Sequence, residues 1–343
     1  MTRVGILGAT GAVGQRFVQL LEDHPEFEIV ALTASEESAG STYREAAKWR
    51  VGTPIPDDVA SMTVAATDPA AVPDDVDLLF SSLPSGVAEA VEPSFLEAGY
   101  VVSSNSSNSR LDDDVPLVIP EVNPDHLDLI ERQRQDRDWD GALIKNPNCS
   151  TITMVPALAA IDQFGIESVQ VSTLQAVSGA GYSGVTSMEI IDNAIPHIGG
   201  EEEKMETESR TLLGTLEDAG VDWHDATVSA SCNRIATIDG HLENVFVQTE
   251  ADPSVEQIVA AFRDAETQDL PSAPDPLIHV FEDPDRPQPR LDRMVGDGMA
   301  IAVGGIKQTE SGFQFNVMSH NTIRGAAGAS ILNGELLAER GYL

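Results

Sequence analysis

Cysteine is nearly absent from this 343-residue sequence: Cys149 and Cys232 are the only two. With no secretory leader expected ahead of them, that scarcity makes a disulfide a poor default explanation for either and leaves each to be judged as a free thiol. Lysine is scarce too, at Lys48, Lys145, Lys204 and Lys307, and 20 basic residues face 56 acidic ones for a formal charge of −36. Nucleic acids and anionic membranes would repel such a surface, so neither is an expected partner. Long apolar runs are missing: no stretch reaches the roughly 18 residues of a membrane span. Met1 leads directly to Val4-Gly5-Ile6-Leu7, without the basic and apolar regions of a signal peptide. The expectation is a cytoplasmic protein. The acidic residues are spread along the chain instead of forming one tail, a distribution expected of a halophilic protein that folds in concentrated salt.

What is present is enough to build two cores, since 41% of the residues are apolar. Residues 4–7 read as a strand, 8–14 as a glycine turn, and Val13, Phe17, Leu20 and Leu21 as the apolar face of a helix. His24-Pro25 stops that helix, and 28–32 resumes as a strand. Further strands at 76–80, 100–102 and 142–145 alternate with a helix at 85–98, which predicts a doubly wound parallel sheet. The charged stretch 132–140 reads as a surface connection. Beyond Cys149 the strands lengthen, at 168–176, 245–250, 299–306 and 313–318, with a helix at 254–264, the pattern of an α+β domain. The expected division is a Rossmann domain over 1–148, completed by the helical segment 322–343, and a catalytic and dimerisation domain over 149–321. No internal repeat is seen.

Gly8, Gly11 and Gly14 stand between a strand and a helix, where backbone N–H groups and a helix N-terminus can hold a pyrophosphate; a tight turn alone would also use glycine. The second strand ends in Thr33-Ala34-Ser35, with no carboxylate to hold ribose hydroxyls, which favours NADP over NAD. Cys149 lies where a strand gives way to a helix, and the partial positive charge of a helix N-terminus favours a thiolate. Its own N–H and the polar groups of Asn148 can face the oxygen of a tetrahedral intermediate. Cys232 reads as a structural thiol. A thiol nucleophile needs a proton partner, and His241, after Gly240, is the histidine with the most suitable setting, although an ordinary histidine fits there equally.

Gly8-Ala9-Thr10-Gly11-Ala12-Val13-Gly14, Leu32-Thr33-Ala34-Ser35, the block from Val115 through Pro120-Glu121 to Pro124, Asn146-Pro147-Asn148-Cys149-Ser150-Thr151, Gln175-Ala176-Val177-Ser178-Gly179-Ala180-Gly181, Glu201-Glu202-Glu203-Lys204 and Asn233-Arg234 through Gly240-His241 occur here in one order. Together they resemble the aspartate-semialdehyde dehydrogenases, in their archaeal and fungal branch, over most of the chain. The resemblance implies a catalytic domain of the glyceraldehyde-3-phosphate dehydrogenase-like type. It also implies reduction of L-aspartyl 4-phosphate by NADPH to L-aspartate 4-semialdehyde and phosphate, in lysine, threonine and methionine biosynthesis. Cys149 would be the nucleophile and His241 would handle the proton. Gln175 would orient the bound intermediate, Arg234 grip the α-carboxylate, and Glu201 pair with the α-amino group, with Glu202 and Glu203 as neighbours of the same type. Lys204 and Arg110 would bind phosphate; an ion pair of Lys204 with Glu201 is the plainer reading of that lysine. Gly8, Thr10, Gly11, Ala12, Val13, Gly14, Thr33, Ser35, Ser38, Ser178 and Gly179 would line the cofactor. Asn321 would lie near the nicotinamide, or else cap the last helix.

One departure stands out. Relatives place an arginine and then a lysine after the second strand, where this sequence has Glu37 and Ser41; Ser35 and Ser38 remain as donors for a 2′-phosphate. No metal is expected, and the assembly is expected to be a homodimer or homotetramer. Malonyl-CoA reductase is the alternative on the same scaffold, against which Arg234 and Glu201 favour a substrate bearing both carboxylate and amine. N-acetyl-glutamyl-phosphate reductase fits less well, because its acylated amine would not use the glutamate. A nucleotide-binding sensor without catalysis would leave Cys149, His241, Arg234 and Lys204 unexplained.

Overall fold

Short runs of Val, Ile, Leu and Phe between turns make the first sheet: β1 (Thr2–Leu7), β2 (Phe27–Ala34), β3 (Ala65–Ala66), β4 (Leu78–Ser81), β5 (Val101–Ser104) and β6 (Ala142–Lys145). Their order is β3-β2-β1-β4-β5-β6, every pair parallel, the order of a doubly wound dinucleotide-binding sheet. β4, β5 and β6 are buried along their whole length, as expected for strands covered on both faces. Phe17 stacks on Phe80 with ring centroids 5.0 Å apart, joining the first helix (Ala12–Leu20) to the sheet. The C-terminal helix (Gly328–Glu339) packs against that helix and against β4 and β5, and the buried His24 and Glu335 meet at 2.8 Å.

The computed structural model describes residues 1–182, 184–218 and 220–343. It falls into two units. The first comprises Met1–Val118, Pro124–Asn146 and Ala326–Leu343; the second comprises Ile119–Asn123 and Pro147–Gly325. Relative to a division at 148 and 321, the second unit thus gains the 119–123 segment and extends to Gly325. Two contacts tie 119–123 to that unit: Arg324 meets Glu121 through both carboxylate oxygens, at 2.6 and 2.9 Å, and Gln268 donates to the Pro120 carbonyl at 2.7 Å.

In the second unit, β7 (Ile166–Gln175), β8 (Ala194–Ile195), β11 (Thr227–Ile235), β12 (His241–Thr249), β13 (Ile278–Val280), β14 (Ile301–Thr309) and β15 (Gly312–Ser319) form a mixed sheet, ordered β13-β14-β15-β12-β7-β11-β8. Thr215–Glu217 and Gly220–Asp222 make a separate two-stranded sheet, β9 and β10. Alternation assigns the faces of the large sheet. Val171, Val245, Val247 and Phe315 point into a core with Met154 and Leu158 of the Thr151–Ile161 helix, Met205 of Glu201–Leu212 and Phe262 of Val255–Arg263. The opposite face carries half-buried or exposed polar residues such as Ser168, Gln170 and Asn244, and the exposed Phe246.

Two sequence expectations change. Leu129–Arg137 is a helix that overlaps the 132–140 stretch expected as a connection. Leu129 and Ile130 bury its first turn, and the buried Gln133 amide extends that contact: it donates to the carbonyls of Asp114 and Leu143 and accepts the Leu143 N–H. β12 begins at His241 instead of 245, which places that histidine on the inward face of a strand.

Candidate active site

β6 ends at Lys145, and the chain passes through Asn146 and Pro147 before the Thr151–Ile161 helix starts. Asn148 organises that start. Its Oδ1 accepts from the N–H groups of Ser150 and Thr151 at 2.9 and 3.3 Å, its carbonyl accepts from Ile152, and its Nδ2 donates to Glu201 at 2.9 Å. The carbonyl and N–H of a trans peptide point opposite ways. With the Asn148 carbonyl turned into the helix, the Cys149 N–H is directed out of the helix start, where an oxyanion can use it. Asn148 is therefore built in as a frame for the nucleophile. Gly325 lies against it as well, since a Cβ there would sit 2.8 Å from the Cys149 Cβ.

Cys149 is half-buried, and its Sγ lies 3.3 Å from His241 Nε2. The ring is fixed from behind: the Ala176 N–H donates to Nδ1 at 3.1 Å. Nδ1 is then an acceptor, so the hydrogen of the neutral ring sits on Nε2 and faces the sulfur. Burial drives the His241 pKa down to about 3; Glu201 opposes that shift, while Arg234 and His320 add to it. The histidine is consequently neutral across the working pH range, a hydrogen-bond donor toward the thiolate form of Cys149.

Three further side chains converge on this pair. Gln175 and Arg234 are register partners at the ends of the parallel strands β7 and β11. The Arg234 guanidinium donates to the Ala176 carbonyl at 2.6 Å, and Gln175 Nε2 donates to Glu201 Oε1 at 2.9 Å. Of the three adjacent glutamates, helix phase turns Glu201 inward; Glu202 accepts the Cys232 N–H and Glu203 is exposed. Burial would raise the Glu201 pKa, yet the amides of Asn148 and Gln175, with Lys204, hold it below the usual carboxylate value. Lys204 Nζ is 3.5 Å from the other Glu201 oxygen, so the ion pair exists, with the lysine still about a third exposed.

The remaining sequence candidates lie as follows. Asn321 Oδ1 accepts the Gly240 N–H and its Nδ2 donates to Ser178 Oγ, both at 2.8 Å, so its side chain braces the turn before His241 instead of capping a helix. A Cβ on Gly179 would approach Arg234 and His241, placing this backbone against those two side chains. Cys232 is buried in the core, its thiol pushed up to about 12 by burial. In the first unit, Arg110 is buried and donates to the Asn105 carbonyl at 2.7 Å. Gly8 has φ +79°, and a Cβ on Gly14 would lie 2.3 Å from the Gly8 carbonyl oxygen, so the turn closes tightly on the helix start. Gly11 precedes that helix in an extended conformation with no side-chain cap, while Thr10, Ala12 and Val13 are half-buried around it. Thr33 is a support: its carbonyl accepts the Gly8 and Ala9 N–H groups and its hydroxyl bonds Thr67. Ser35 is exposed and Ser38 half-buried in the turn that follows.

Sequence reading missed Glu208 and Glu243. Glu208 accepts the Asn148 N–H at 2.6 Å; its position seven residues after Glu201, on the same helix stripe, was the available signal. Glu243 is fully buried two residues after His241, and alternation along β12 was its signal.

Comparison with known proteins decides the family. Residues 3–130 match the semialdehyde dehydrogenase NAD binding domain, and residues 158–324 match the semialdehyde dehydrogenase dimerisation domain. The aspartate-semialdehyde dehydrogenase of Archaeoglobus fulgidus is 51% identical over 97% of both chains. That of Methanothermobacter thermautotrophicus is 50% identical over 99% of both. The chain belongs to the aspartate-semialdehyde dehydrogenase family. A crystal structure of the Candida albicans aspartate-semialdehyde dehydrogenase with NADP superposes with a TM-score of 0.91 at 40% identity, covering 100% of each chain. An aspartate-semialdehyde dehydrogenase II from Vibrio cholerae, complexed with ASA, gives 0.79 at 29% identity, with 99% and 98% covered. As a member of the aspartate-semialdehyde dehydrogenase family the chain is an oxidoreductase of amino-acid biosynthesis that acts on small molecules as a homo-oligomer, and the acyl-CoA reductase alternative is not favoured.

Proposed function

We propose that this chain reduces L-aspartyl 4-phosphate to L-aspartate 4-semialdehyde and phosphate with NADPH, through a thioester on Cys149. The observation that carries the proposal is the Cys149–His241 contact at 3.3 Å beside the buried Arg234 and Glu201. Arg234 offers a planar donor for the α-carboxylate, while Glu201, held ionised by its amide partners, suits the α-ammonium. With the substrate so held, the Cys149 thiolate, which receives the His241 Nε2–H, forms the sulfur–carbon bond to the acyl carbon and the carbon–oxygen bond to phosphate breaks, the electron pair leaving with phosphate. The Cys149 N–H and the His241 Nε2–H are the donors placed for the oxygen of the tetrahedral intermediate. Lys204 and Arg110 are the cations assigned to phosphate.

NADPH, when bound, supplies the hydride that converts the thioester to aldehyde and releases the thiolate. The residues fit this cofactor: the helix beginning at Ala12 has no side-chain cap, and the glycine turn closes on it as a pyrophosphate site requires. Ser35 and Ser38 are the assigned donors for the 2′-phosphate. Gly8, Thr10, Gly11, Ala12, Val13 and Gly14 belong to the same site by assignment, supported by Thr33 beneath.

The open face of the second sheet, with Phe246 exposed, supports assembly as a homodimer or a pair of dimers. Among the described residues no helix is long and apolar enough to cross a membrane. Work in the cytoplasm of a salt-rich cell completes the proposal; the charge of −36 supports it.

The direct test is phosphate-dependent reduction of NADP by L-aspartate 4-semialdehyde in concentrated KCl, comparing the native sequence with Cys149→Ala. Turnover that requires phosphate and is lost in the variant is the expected result; turnover persisting in the variant would remove the thioester from the mechanism.

A further inference from the structure

Among the acidic residues of this chain most face water, but Glu208 is 2% exposed. Its oxygens are shut away from water, so they need partners within the protein. What it reaches is the backbone of the residue before the nucleophile: Glu208 Oε2 accepts the Asn148 N–H at 2.6 Å. Seven residues are nearly two helical turns, so Glu201 and Glu208 project from one stripe. The same helix face therefore grips Asn148 twice, by its side-chain amide and by its backbone.

We propose that Glu208 is a positioning residue for Cys149, acting through the peptide plane that joins Pro147 to Asn148. This rests on the reading of Cys149 as the nucleophile. Two bonds define the backbone around Asn148: its N–H to Glu208 on one side, and its carbonyl to the Ile152 N–H on the other. Together they fix the relative rotation of the two peptide planes that meet at Asn148, and hence where the Cys149 N–H and Sγ emerge from the helix start. Releasing the first plane lets the donor for the oxyanion and the sulfur drift together, while Arg234 keeps its bond to the Ala176 carbonyl and Glu201 keeps the Gln175 amide.

The test compares Glu208→Leu, which has no acceptor, with Glu208→Gln, whose amide oxygen can still take the Asn148 N–H. In Glu208→Leu, kcat per titrated Cys149 thiol should fall about 10- to 100-fold. KM for semialdehyde and for phosphate should stay within about threefold, and Cys149 alkylation by iodoacetamide should change in rate and pH profile. Glu208→Gln should restore most of the rate. Asparagine-selective 15N labelling gives a readout that does not need the leucine variant to fold: the Asn148 amide proton should be shifted downfield by its short bond to a carboxylate and move upfield in Glu208→Gln. An unchanged kcat per thiol in folded Glu208→Leu overturns the proposal, and so does an Asn148 amide resonance indifferent to Glu208→Gln. If semialdehyde is not turned over by the native sequence, the alkylation and amide readouts still decide the role of Glu208 separately from the substrate assignment.

Discussion

At the residue scale, Glu243 separates burial from function. It lies in the core with neither carboxylate oxygen bonded among the described residues, and burial, reinforced by the nearby Glu201, raises its pKa well above 4.5. The folded state therefore keeps a proton that the unfolded chain gives up above about pH 4.5. Stability falls as the pH rises from there toward the folded-state pKa, and no penalty applies below that window. Glu243→Gln, which mimics the protonated form, should raise the melting temperature at pH 8 by about 2–4 °C or more and change it little at pH 4.5. Thermal melts at the two pH values would show this; equal shifts at both would mean that the carboxyl is ionised in the fold. Cys149 was singled out by its place at the start of a helix, whereas Arg234 and Lys204 were singled out through the family resemblance. The choice among Glu201, Glu202 and Glu203 was not legible, because adjacent helix positions differ by about 100° and only packing fixes the phase.

Elements were legible where local chemistry dictated them. The strand, glycine turn and helix at the start of the chain read directly, since only glycine tolerates the closeness of residue 14 to the Gly8 carbonyl. Gly14→Ala should accordingly weaken NADPH binding at least about tenfold while leaving the rate of Cys149 alkylation unchanged. Fluorescence titration beside thiol labelling would test it, and native cofactor affinity in the variant would count against the turn as the pyrophosphate site. The Leu129–Arg137 helix escaped because its apolar residues, Leu129 and Ile130, stop at the first turn and its buried side continues through the Gln133 amide. The order of the seven-stranded sheet escaped for another reason. Its pairings join distant segments such as β12 and β7, which periodicity within one segment does not encode.

For the whole molecule, the two-unit α/β architecture was readable from alternating strands and helices, but the placing of residues 119–123 and 322–325 involves long-range bonds, Glu121 with Arg324 and Pro120 with Gln268, that no local pattern encodes. The net charge acts on everything at once. A surplus of 36 negative charges repels itself in dilute buffer, and salt screens that repulsion. The melting temperature should therefore rise with KCl from about 0.1 M toward molar concentrations, well past the point where ordinary surface pairs are screened. Calorimetry across that range would show it, and a flat response would remove the salt-adapted reading of the composition.

The return of residues 326–343 to the first unit carries a consequence for how the protein is made. Phe80 and the first helix receive part of their cover, and His24 its partner, from a segment translated after the whole second unit. A ribosome delivers the chain in order, so the nucleotide-binding half must wait, incompletely closed, while the catalytic half is synthesised, and its final consolidation follows only when that last helix emerges.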